Sequence, residues 1–211
     1  MKRMITKAWF LFCLCLLSSI SVAQTYQLNS RSAIGFNVGL YAGSTSANAE
    51  YVNGYNSSAS TNGFAGSMFF YHWLKEDLSL KLSIGLLTGS ASVSLTANKT
   101  VQQASAVIPV LLGLNYYFTE PTESDAIRPF VGGAIGMYIG SEAKNTMISQ
   151  EVSSETAAGL RAGIGCDFLI GNHFILGAEA GYNVMANFTD PIGGKNNFNG
   201  ADFSLEVSYV F

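Results

Sequence analysis

From Ala33 onward the chain repeats one pattern: about ten residues alternating apolar with small or polar, then a turn or a polar stretch. A period of two puts successive side chains on opposite faces of a strand, whereas a helix would scatter them around its circumference. In LSLKLSIGLL, Leu78, Leu80, Leu82, Ile84 and Leu86 share one face, and Ser79, Lys81, Ser83 and Gly85 the other. The same phase sets Leu160, Ala162, Ile164, Cys166 and Phe168 against Gly159, Arg161, Gly163, Gly165 and Asp167. It also sets Phe203, Leu205, Val207, Tyr209 and Phe211 against Asp202, Ser204, Glu206 and Ser208. Eight strands are predicted, near 33–43, 63–73, 78–89, 104–118, 128–140, 156–169, 174–185 and 201–211. Met68 to Trp73 is apolar or aromatic on both faces, so the second strand has the least determined register.

The connections alternate too. Links at 74–77, 119–127 and 170–173 are short; those at 44–62, 90–103, 141–155 and 186–200 are long, polar and read as mobile loops. That alternation predicts an all-β fold, an eight-stranded antiparallel up-and-down transmembrane β-barrel with short periplasmic turns and longer loops outside. In hydrocarbon every backbone N–H and C=O needs a partner within the protein, and a closed sheet supplies one while leaving no edge. A soluble barrel would turn its apolar face inward. Against that stand an inner face read as mostly Gly, Ala, Ser and Asn, and a charged content of 12%, where about 25% is usual for a soluble domain. Aromatic residues are expected in two interface belts, Phe70, Trp73, Tyr116, Phe118, Phe168, Phe174, Tyr209 and Phe211 below and Phe64, Tyr138, Tyr182 and Phe203 above.

The first 23 residues read as a secretory signal: basic Lys2, Arg3 and Lys7, an apolar stretch from Ala8 to Leu17, and small Ser21 and Ala23 before Gln24. The expected organisation is a signal peptide at 1–23, a short periplasmic lead-in at 24–32 and a barrel domain at 33–211. Cleavage would remove three of the 11 basic residues and none of the 14 acidic ones, leaving a net charge of −6. Such a balance does not point to nucleic acid. Cys166 would be the one remaining thiol, which excludes an internal disulfide and a Cys-based metal site.

The terminal strand SLEVSYVF, with Tyr209 and Phe211, resembles the signal read by the outer-membrane assembly machinery. The segments RPFVGGAIGMYIG and GLRAGIGCDFLIGNHFILGAEAGYN resemble the outer membrane protein β-barrel domain family of small OmpA/OmpX-type barrels, a likeness that covers roughly 33–211. The resemblance implies an outer-membrane location in a Gram-negative cell, with outer-membrane lipid and the assembly machinery as partners. It implies no single shared activity and no cofactor.

Chemistry is sparse. Catalysis would need a His beside a nucleophile or acid, and only His72 and His173 exist, both placed at the periplasmic end. Gly193-Gly194-Lys195 lacks the spacing of a phosphate loop, and no acidic cluster has calcium-loop spacing, so no metal is assigned. One constellation remains: Lys81, Arg161, Asp167, Glu179 and Glu206 lie mid-strand, opposite the apolar face. Lipid-facing Arg or Lys at the midplane would cost about 2–4 kcal/mol, which sets these groups inward. Arg161, Glu179 and Glu206 are expected to form one ionic group, with Lys81 and Asp167 in a lower second layer. The expected role is a non-enzymatic barrel, structural or binding an extracellular ligand of unknown identity through four loops. The alternative is a narrow porin-like channel, favoured by the inner glycines Gly35, Gly39, Gly85, Gly113, Gly163, Gly165, Gly177 and Gly181 if they leave room for water.

Overall fold

The structure, a computed structural model, describes residues 28–44, 62–88, 92–96, 99–118, 127–145 and 150–211. The signal segment and most of the first long link lie outside the described residues. Nine strands are present among those described: β1 (Ser32–Gly43), β2 (Asn62–Lys75), β3 (Leu78–Thr88), β4 (Ser92–Thr96), β5 (Lys99–Tyr117), β6 (Ile127–Asn145), β7 (Gln150–Ile170), β8 (Phe174–Met185) and β9 (Gly200–Val210). The sheet runs β3-β2-β1-β9-β8-β7-β6-β5-β4, and antiparallel pairing of β3 with β5 closes it. Eight strands therefore make the barrel. The short β4 is an extra strand, paired only with the start of β5.

Closure follows from the alternation. Ile34, Phe36, Val38 and Leu40 of β1 are all more than half exposed, while Ala33, Gly35 and Tyr41 are buried. The apolar face points outward along every barrel strand, with Leu82, Ile84, Leu112, Ile135, Ile164 and Leu205 among its members. Cys166 shares that outward phase with Ile164 and Phe168. Facing lipid, such a surface is satisfied; facing water it would be an extended apolar patch. Among the described residues, one end of the barrel carries the segment 28–31, the tight β2–β3 and β7–β8 turns and Phe211, whose N–H donates to Ser32 O at 2.8 Å. Gly171 takes φ +57° in the three-residue β7–β8 turn, a conformation that suits a residue without Cβ.

Three long links depart from the expected mobile loops. Residues 99–103 and 141–145 belong to β5 and β6, and 150–155 to β7, with β6 and β7 paired as far as Asn145↔Gln150. β7 has 21 residues, which at ordinary rise and tilt covers about 50 Å against an apolar band of about 25 Å. The wall thus continues beyond the lipid, where polar side chains suit both faces. The Ser- and Thr-rich composition read as loop because its alternation carries no hydrophobic contrast. The third departure is 186–199, which folds back over the barrel mouth.

Two belt residues were also misplaced. Trp73 and Tyr138 are fully buried and point inward. Near the barrel ends both faces of a strand carry large apolar groups, so residue type alone does not reveal direction. Phe64 and Phe203 at one level, and Phe118, Phe174, Tyr209 and Phe211 at the other, are exposed on the outer surface.

Candidate functional site

The lumen is filled in three layers. At the end that holds the chain's two described termini, Phe69, Tyr71 and Trp73 of β2 pack with Tyr117, Phe130, Leu169 and Ile175. Leu28 from the lead-in, fully buried, seals this layer. The Glu76 carboxylate in the β2–β3 turn fixes the lead-in by accepting the N–H groups of Leu28 at 2.9 Å and Asn29 at 3.0 Å. Arg128 lies buried against the same layer, its guanidinium 4.2 Å from the centre of the Tyr117 ring and one N–H donated to Glu76 O. The inner face is therefore not lined mainly by small residues, as the sequence had suggested.

The middle layer is ionic. Lys81 Nζ of β3 stands 2.9 Å from Glu179 Oε2 of β8 and 3.4 Å from Glu206 Oε2 of β9. Arg161 of β7 bonds Glu179 Oε1, and its Nη2 lies 2.6 Å from Asp202 Oδ1 of β9. Asn183 donates to Asp202 Oδ2 at 2.7 Å and accepts the Tyr138 hydroxyl at 2.9 Å. Tyr71 OH and Glu206 Oε1 are 3.3 Å apart, and Lys81 sits 5.0 Å from the centre of the Tyr71 ring. The group is one alternating chain: Asp202, Arg161, Glu179, Lys81, Glu206. Low polarity strengthens each link, but removing water from the charges offsets much of that gain.

Two particulars differ from expectation. Lys81 does not belong to a lower layer; its long side chain reaches up to bridge Glu179 and Glu206. Asp167 does lie outside the chain of ion pairs, where Tyr117 OH donates to its Oδ2 at 2.9 Å. Asp202 was passed over, although its phase with Ser204 and Glu206 marked it as inward. The signal for Arg128 was likewise its phase.

The inner glycines are seats for these side chains. A Cβ at Gly181 would strike the Arg161 guanidinium, one at Gly163 would come within 2.8 Å of Glu179 Oε1, and one at Gly35 within 2.6 Å of the Phe69 ring. The space expected for water at those three positions is occupied. Among the described residues a cavity of about 70 Å³ lies beside Lys81, Arg161, Asp202 and Ser204, room for about two waters at liquid density.

Above it, Phe188, Ile192 and Phe198 from 186–199 pack on Tyr41, Val107, Leu111, Tyr138 and Met185. Polar contacts hold the loop: Tyr41 OH donates to Asn199 O at 3.1 Å, Met185 N–H to Asn199 Oδ1 at 2.7 Å, and Gly193 N–H to Glu142 Oε2 at 3.1 Å. Burial holds the Lys195 ammonium below its ordinary range, and the group faces the Phe198 ring at 5.2 Å. Gly193 and Gly194, both with positive φ, turn the loop inward. His72 and His173 take no part: His72 Nδ1 is 3.0 Å from Ser32 Oγ, and His173 stacks on Tyr209.

An outward apolar wall closed around a packed, charged interior defines a transmembrane β-barrel. The chain belongs to the outer membrane protein beta-barrel domain family, whose model matches residues 12–211. Among solved structures it is similar to Neisserial surface protein A, with 15% identity and a TM-score of 0.56 over 87% of this chain and 98% of that one. Ail of Yersinia pestis in complex with the heparin analogue sucrose octasulfate gives 14% identity and 0.55 over 87% and 99%. The N-terminal β-barrel domain of Pseudomonas aeruginosa OprF gives 16% and 0.50 over 87% and 98%. At these identities the likeness shows the fold alone. Comparison with curated proteins gives no match.

Proposed function

We propose that the protein is a secreted, non-enzymatic outer-membrane barrel with a structural or surface-interaction role, closed to solutes along its lumen. The observation that carries this reading is the three-layer filling: aromatic residues at both ends and an ion-paired chain between them. An eight-stranded interior is only about wide enough for its own side chains, and here they fill it. The short turns would face the periplasm, and the extended β4–β7 wall and the 186–199 segment would face outside, presented to an extracellular ligand. Outer-membrane lipid contacts the apolar wall, and the assembly machinery reads the last strand through outward-facing Tyr209 and Phe211. The Yersinia protein crystallised with a heparin analogue illustrates such a ligand for that protein.

The channel reading rests on the cavity of about 70 Å³ beside Lys81 and Arg161. Planar-bilayer recording separates the two: full-length protein is expected to show no steady conductance, and large, stable, ion-selective currents would establish the channel. Secretion has its own test. N-terminal sequencing of membrane-extracted protein is expected to begin at Gln24, and an intact Met1 would remove the signal-peptide reading.

A further inference from the structure

Six buried side-chain polar atoms have no hydrogen-bond partner among the described residues, and five of them belong to Trp73, Ser79, Arg128 and Asp167. These four residues gather at the end of the barrel that carries the lead-in. Trp73 of β2 pairs across the sheet with Ser79 of β3, and Arg128 of β6 with Asp167 of β7. Tyr117 of β5 packs in one cluster with Trp73 and joins the second pair, its ring 4.2 Å from the Arg128 guanidinium and its hydroxyl donating to Asp167 Oδ2 at 2.9 Å. Each orphaned donor or acceptor forgoes hydrogen bonds that water would supply, so this layer gains from being wetted.

The cover that keeps water out is short and lightly held. Leu28 to Arg31 form a tight turn, closed by the Arg31 N–H donating to Leu28 O at 2.8 Å. Leu28 is fully buried in the cluster of Trp73, Tyr117 and Phe130, while Asn29 and Ser30 are exposed. One carboxylate ties down the inner half of the turn: Glu76 accepts the N–H groups of Leu28 at 2.9 Å and Asn29 at 3.0 Å. The second of these bonds is exposed, so water competes for it. Arg128 donates to Glu76 O, which links this anchor to the orphaned layer. The outer half belongs to the sheet, with Ser30 N–H donating to Trp73 O at 2.9 Å and Trp73 N–H to Arg31 O at 3.0 Å.

Ser30 stands where the two halves meet. Its φ is +61°, and no other non-glycine residue among those described is left-handed. That conformation is unfavourable for a residue with a Cβ. Rotation there would free Leu28 and Asn29 and leave the pairing of β1 with β2 intact.

We infer that residues 28–31 are a strap that opens and closes over this end of the lumen, hinged at Ser30, latched by Glu76 and stoppered by Leu28. Closure gains the burial of Leu28 and two bonds to Glu76. Opening gains water for Trp73, Ser79, Arg128 and Asp167 and relaxes the Ser30 backbone. The ionic layer above stays in place, so the open strap exposes a vestibule and makes no channel.

Hydrogen exchange at the Trp73 indole reads the strap directly, because that N–H is buried beside Leu28 and bonded to nothing. The chain has two tryptophans, Trp9 and Trp73, so in full-length Trp9→Phe the single indole resonance is that of Trp73. In lipid nanodiscs transferred to deuterium oxide, this indole is expected to exchange far more slowly than free indole, yet about ten-fold or more faster than the slowest amides of β8 and β9, which wait for global unfolding. Leu28→Ser and Glu76→Ala, each in that background, are expected to speed the indole about ten-fold and to leave the β8 and β9 amides unchanged. Those amides also show that each variant keeps its barrel. An indole that exchanges in step with β8 and β9 would make the turn a fixed part of the fold, and one as fast as free indole would mean that it covers nothing. Either result would overturn the inference, as would an unchanged indole rate in both variants. Faster exchange of indole and amides together would mark Leu28 and Glu76 as ordinary contributors to barrel stability and would overturn it too. Conductance does not enter this measurement, so the strap and the closed-lumen reading stand or fall separately.

Discussion

At the scale of single residues, direction is what matters, because one wall separates lipid from a charged interior. Arg161 joins two carboxylates on neighbouring strands, Glu179 and Asp202. Arg161→Ala strands both, and loss of one partner in a buried group costs about 3–5 kcal/mol. The double change Arg161→Ala with Glu179→Gln is expected to be more stable than Arg161→Ala alone, measured as urea unfolding midpoints in vesicles. Equal midpoints would show that the contact contributes nothing. Cys166 sits on the opposite face and is expected to resist a membrane-impermeant maleimide until the protein is unfolded. Rapid labelling of folded protein from water would put the outward phase of β7 in error.

At the scale of elements, 186–199 behaves as part of the core. Phe198 is 1% exposed and lies on Tyr41, Tyr138 and Met185 within one cluster. Phe198→Ala is expected to loosen the segment, at a cost of up to about 3–5 kcal/mol, the range for a buried Phe cut to Ala. Trypsin provides the readout, since Lys195 is 5% exposed in the docked loop. Folded wild-type protein should be cut slowly after Lys195 and the variant several times faster. Equal rates would mean that the loop is not held by its aromatic contacts. The extended β6–β7 hairpin makes the complementary point: its residues pair in register although no apolar stripe announces them.

At the scale of the whole molecule, the eight-stranded meander and the outward apolar face were legible along the chain. A strict period of two has one physical reading, and links of alternating length admit one simple winding. The inward set Lys81, Arg161, Asp167, Glu179 and Glu206 was legible for the same reason, since charge and phase agree at each position. Phase places a residue on a face but says nothing of height or reach. Lys81, with its long flexible stem, was therefore assigned to the wrong layer, and Asp202 near the start of β9 was left out. Phase would have placed Tyr138 inward, in step with Arg128 and opposite Ile135 and Met137, but not Trp73, because β2 is apolar on both faces there and an aromatic ring is at home both at an interface and in a core. Alternation by itself thus determined the barrel and which face meets lipid. Only the tertiary structure decided whether the lumen is open. That depends on how far side chains from β2, β3, β7, β8 and β9 extend across a shared interior, and on where 186–199 comes to rest, neither of which is a property of any one strand.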